Sequence, residues 1–80
     1  MIGSGDSVSA TASIGDYFIC AGGVGGSTMN INTSGVTVIF NEFYSYGGNS
    51  CTRLMVLQAT STSIRVSRAS VGTVLLAKIN

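Results

Sequence analysis

The 80-residue chain has no histidine, no proline and no tryptophan, and it carries only four basic and three acidic side chains. Without histidine, zinc sites of the usual kinds, Ser-His-Asp triads and Cys-His pairs are excluded. Charged residues are 9% of the chain, against about 25% in an ordinary soluble domain. In a disordered chain so little charge would come with low hydrophobicity. Here 45% of residues are hydrophobic and the mean hydropathy is +0.47, so the chain is expected to collapse and fold.

The formal charge of +1 comes from Arg53, Arg65, Arg68 and Lys78 against Asp6, Asp16 and Glu42. These basic residues form no cluster of the kind that neutralises phosphates, so nucleic acid is not an expected partner. Arg65 and Arg68 read as solvation and edge protection on a surface hairpin. The N-terminus lacks the basic start and apolar run of a secretory signal. The longest uncharged run, residues 17–41, is broken by five glycines and does not suit a helix in hydrocarbon. Membrane insertion is therefore not expected. Eighty residues make one domain at most, and a chain this short buries only about 60% of its unfolded surface. A small core and near-neutrality together favour an oligomer.

What is present is β-pattern. Residues 7–14 alternate, with Val8, Ala10, Ala12 and Ile14 on one face and Ser or Thr on the other. Gly15-Asp16 suits a tight hairpin into a strand at 17–21. Four glycines within residues 22–27 predict a loop. A short edge strand at 28–32, a turn at Thr33-Ser34-Gly35 and a strong strand at 36–44 follow, the last rich in β-branched and aromatic residues. Residues 46–50 read as a loop. The stretch 51–68 reads as a hairpin about Thr60-Ser61-Thr62. In its first arm Leu54, Met55, Val56 and Leu57 are apolar on both faces, which predicts a central strand covered on both sides. Residues 73–79 form a last strand. The expected fold is all-β, a small antiparallel sandwich, jelly roll or barrel of about seven strands. Residues 1–6 read as a flexible lead-in and 7–80 as a single β domain.

Chemistry-bearing residues are few. A glycosidase needs two carboxyls flanking a sugar. Asp16 and Glu42 are the only pair to weigh, and a turn-forming Asp with a solvated strand Glu is preferred. No catalytic residue, metal ligand or cofactor is expected, and the chain reads as a non-enzyme. Cys20 and Cys51 fit either one disulfide, worth about 3–4 kcal/mol, or two buried thiols acting as small hydrophobes. The buried thiols are preferred. The glycine run lacks the Lys-Ser/Thr ending of a phosphate loop. Residues 44–50, Tyr-Ser-Tyr-Gly-Gly-Asn-Ser, have the composition of an adaptable binding loop. Tyr44, Tyr46 and Asn49 are its candidate receptor-binding residues. The competing reading is that the tyrosines cover the domain edge.

The Gly15-Asp16-Tyr17-Phe18-Ile19 strand start, the Thr60-Ser61-Thr62-Ser63 turn and the ending Leu75-Leu76-Ala77-Lys78-Ile79-Asn80 carry a resemblance of style. The Ser/Thr/Gly/Asn-rich, charge-poor, proline-free chain resembles the C-terminal head domains of bacteriophage tail fibres and related small virion proteins. That resemblance implies a virion location and a homotrimer whose loops touch a host-surface glycan or protein. No fibre shaft precedes the domain in this sequence. An excised head and a stand-alone capsid or tail accessory (decoration) protein, whose partners are other virion proteins, both remain open.

Overall fold

The computed structural model describes residues 1–26, 28–47 and 49–79. Its eight strands are β1 (Gly3–Gly5), β2 (Ser7–Thr11), β3 (Tyr17–Val24), β4 (Ile31–Ser34), β5 (Val36–Ser45), β6 (Cys51–Ala59), β7 (Ser63–Arg68) and β8 (Thr73–Ile79). They form a five-stranded sheet in the order β1-β8-β3-β6-β5 and a three-stranded sheet in the order β2-β7-β4. Every pairing is antiparallel. The expected all-β class holds, as a small sandwich.

The connections differ from those the sequence suggests. β6 and β7 lie in opposite sheets, so the stretch 51–68 is an arch across the core and not a hairpin. The same holds for β2 and β3 around Gly15-Asp16. The reason is visible in the faces. Leu57 and Ala59 of β6, and Ile64 and Val66 of β7, are all buried and line one core from opposite sides. Among the described strands only β5 and β6 are consecutive and paired. The arch from β4 to β5 depends on Gly35, at φ +77°, where any Cβ would overlap the Ser63 carbonyl oxygen.

Boundaries also move. β4 covers Ile31–Ser34, where a short edge strand at 28–32 and a turn at Thr33-Ser34-Gly35 were expected. β3 continues through Gly22 and Gly23, which were expected in a loop. A Cβ at Gly22 would collide with Met29 Cε and sit 2.9 Å from Ile31 Cδ1, so the glycine admits these side chains against the strand. Val8 and Ala12 are buried as expected, but β2 ends at Thr11 and Ile14 is 71% exposed. There Asp16 folds the chain back: its carboxylate accepts the Ser13 N–H at 3.0 Å, and its own N–H donates to the Ser13 carbonyl at 3.0 Å. Gly3–Gly5, within the expected lead-in, pairs with β8.

The core is Phe18, Cys20, Met55, Leu57, Val74 and Leu76 from the large sheet against Val8, Ile64 and Val66 from the small one, sealed by Met29. β6 is an interior strand, as expected, but only one of its faces is covered. Met55 and Leu57 are buried while Leu54 and Val56 lie on the other face, half-buried. Both cysteines are free and buried on the inner face. Cys20 is opposite Met55, and Cys51 is opposite Val24, four positions along β3. That offset is about 13 Å, beyond the reach of an intrachain disulfide.

Two outcomes follow from this core. Leu57→Ala should cost about 2–5 kcal/mol in urea unfolding. Leu54→Ala, on the half-exposed face, should cost about 1 kcal/mol, and equal losses would refute the assignment of faces. Burial also pushes the Cys20 thiol up from 9.0 to about 11. Between those values the unfolded thiol has lost its proton and the folded one keeps it, so stability falls as pH rises through this window. The slope is up to about 1.4 kcal/mol per pH unit. Cys20→Ala should lose that slope, and an unchanged slope would assign it to other groups.

Candidate functional site

The outer face of the large sheet is built of cross-strand rows. One runs Ala77, Ile19, Val56 and Phe40 across β8, β3, β6 and β5. The next runs Leu75, Ala21, Leu54 and Glu42, and the one beyond it Thr73, Gly23, Thr52 and Tyr44. Glu42 is the one charge in these three rows. No strand of the small sheet lies on this side, so the apolar rows are open to solvent.

β5 is the exposed margin of this face. All ten of its residues except Val36 are exposed, although Val38, Ile39, Phe40, Phe43 and Tyr44 are large and hydrophobic. It is an edge strand, and the narrower small sheet leaves its inner face uncovered as well. The register against β6 shifts between Val38 and Phe40, with Ile39 as the extra residue of a bulge. Bulges bend and twist a strand locally. Beyond this one, residues 40–45 pair regularly with β6.

The three sequence-predicted residues come together at the end of this strand. Tyr44 is the second-last residue of β5, beside Thr52 on the outer face and 42% exposed. Tyr46 is 58% exposed at the start of the β5–β6 connection, where its N–H donates to the Ser50 carbonyl at 2.8 Å. Asn49 is exposed, and its carbonyl accepts the Gly26 N–H at 3.0 Å. That bond joins the β5–β6 and β3–β4 connections into one tip. Tyr44 therefore lies within the strand expected over 36–44, which runs on to Ser45 before the connection begins. Its backbone is fixed by the ladder and its ring faces solvent in part. Among the described residues no concave pocket forms.

Arg53 braces the underside of the tip. It lies on the inner face of β6, between Gly22 of β3 and Phe43 of β5. Its Nε donates to the Met29 carbonyl at 2.7 Å, and its Nη1 to Asn41 Oδ1 at 2.7 Å. Nη2 donates to Asn30 Oδ1 at 3.3 Å, and the guanidinium lies 5.2 Å from the Phe43 ring centroid. The side chain thus ties β5 to the segment leading into β4.

No protein-family model, curated protein or solved structure matches the chain. The carboxylates are dispersed: Asp6 pairs with Arg68 at 3.2 Å and Asp16 with Lys78 at 3.5 Å. Glu42 is opposite Leu54, four positions along β6 from the Gln58 that faces Tyr17. Asp16 and Glu42 are thus offset by about 13 Å or more, outside the spacing of a glycosidase pair. The exposed apolar margin and the Arg53 brace are the features that sequence reasoning missed. A charge-poor aromatic strand has the same pattern whether it is buried or bare, whereas an arginine at an inward position of an apolar strand was a readable signal.

If Arg53 holds the tip, Arg53→Ala should cost about 1–3 kcal/mol in chemical unfolding. Arg53→Lys should recover little of this, because an ammonium cannot reproduce the planar fork. Full recovery by lysine would reduce the role to charge alone.

Proposed function

We propose that this domain is a non-enzymatic adhesion module of a phage virion, of the tail-fibre head type, which binds a host-surface glycan or protein through Tyr44, Tyr46 and Asn49. The observation that carries the reading is the convergence of these three exposed residues at one tip. Tyrosine faces offer rigid contact area at little entropic cost, and amide and hydroxyl groups beside them supply adaptable hydrogen bonds. A nearly uncharged aromatic surface suits a neutral sugar face better than a strongly ionic ligand. Several copies would raise the avidity of a weak single contact.

A second reading rests on a different feature, the apolar rows through Ile19, Val56 and Phe40. A capsid or tail accessory protein would bury such a face against the particle and so stabilise it. The two readings separate on the same variants. Under the adhesion reading, Tyr46→Ala should change stability by no more than about 0.5 kcal/mol and Tyr44→Ala by about 1 kcal/mol or less. Each should reduce attachment to host cells or to surface polysaccharides about tenfold or more, as expected for loss of an aromatic anchor. Melting temperature and binding are measured on the same samples. Unchanged binding per folded molecule would overturn the adhesion reading and favour the accessory one.

A further inference from the structure

The edge of β5 is distinct from its face. Along β5, alternate residues direct their main-chain N–H and C=O away from β6, without a strand partner, and such a row is a template for another strand. Long bare edges are usually blunted by charge, proline or shortness. β5 has ten residues, no proline and one charge, Glu42. At about 3.3 Å per residue it runs about 33 Å, nearly the full 38 Å length of the molecule. The remaining described edges are short: β1 has three residues, β2 five and β4 four. Among the described edges, only β5 itself matches β5 in length and in its nearly uncharged, two-faced apolar pattern.

We propose that two copies of this chain join edge to edge through β5, antiparallel, with Phe43 opposite Phe43 of the second copy. The bulge and the single charge select this register. Centring the pair on Asn41 brings Ile39 into the ladder one step beyond Phe40. Centring it on Glu42 sets two carboxylates against each other, which is destabilising. Centring it on Phe43 places Glu42 opposite Tyr44 and Asn41 opposite Ser45, keeps inner residues with inner and outer with outer, and stays clear of the bulge. Centring it on Tyr44 shortens the paired length within the strand. The contact follows a two-fold axis and closes on itself, so it yields a dimer and not an open chain. This inference is independent of the adhesion reading, and it sets two copies where the fibre-head resemblance implies three.

The test begins with the unaltered full-length chain. Light scattering at micromolar concentration should give twice the 8.1 kDa of one chain. Hydrogen exchange should show amides within residues 40–45 protected at that concentration and losing protection on dilution, while β3 amides do not change. Variants with one cysteine added at the edge, in a chain whose Cys20 and Cys51 are replaced by alanine, then read the register. Directly opposed Cβ atoms lie about 4.5–5.5 Å apart and diagonal ones about 7–8 Å, against about 3.5–4.5 Å in a disulfide. Phe43→Cys should therefore form an interchain disulfide at least about tenfold faster than Glu42→Cys. A monomer, a trimer or a dimer without concentration-dependent protection of β5 would overturn the proposal. Faster cross-linking by Glu42→Cys would overturn the register.

Discussion

A three-stranded sheet cannot cover a five-stranded one, and much of what distinguishes this molecule follows from that mismatch. The small sheet lies over β8, β3 and β6, where the inner rows through Leu76, Cys20 and Met55 and through Phe18 and Leu57 are sealed. One strand further on, the same rows reach Asn41 and Val38 of β5, which are exposed. The inner position at this boundary, opposite Phe43, is held by Arg53. An apolar side chain there would be half wet, and a short polar one could not span the gap. Arginine instead lays its guanidinium against the Phe43 ring and uses its donors on Met29, Asn30 and Asn41. β5 is therefore tied to its neighbours through Asn41 and Phe43 without being covered. That combination leaves its side chains free to meet a partner.

The sequence made the strands legible and left their partnership hidden. Alternation at Ile64 and Val66 marked the buried face of β7, and the spans of β5 and β8 were close to those observed. A hairpin and an arch, however, share one signature: two alternating arms joined by a short polar link such as Thr60-Ser61-Thr62. Periodicity records that one face of each arm is buried, but not whether the arms lie side by side or face each other. The same ambiguity concealed β5. Val38, Phe40 and Phe43 suit a buried strand and an uncovered one equally, because burial is decided by the width of the opposing sheet. Glycine misled in a related way. Gly22 and Gly23 looked like loop residues by backbone entropy, whereas at Gly22 the strand requires the missing side chain so that Met29 and Ile31 can approach.

The candidate site was legible in composition and not in position. Tyr44, Tyr46 and Asn49 are exposed, as a binding surface requires. Yet Tyr44 is presented by a ladder, and Asn49 is held by a main-chain bond to the glycine-rich connection after β3. That bond gives the glycine run a part in shaping the tip that its own sequence did not disclose.

Edge and face can serve different partners without competition. In a sheet, main-chain hydrogen bonds lie in the plane and side chains stand nearly perpendicular to it. A strand joined along its edge still offers its outer side chains. Pairing through β5 would fuse two outer faces into one continuous ten-stranded surface, with Tyr44 of each copy flanking the two-fold axis and opposite a Glu42. In that register Phe40 falls opposite Tyr46, beyond the end of β5, so the outer rows that cross the junction are those through Leu54 and Glu42 and through Thr52 and Tyr44. For a ligand that repeats, as a polysaccharide does, two tyrosine tips held in fixed relation turn the second contact into an intramolecular one. The low charge that leaves the edge free to associate is the same property that suits the face to a neutral partner. One compositional bias would thus serve both contacts.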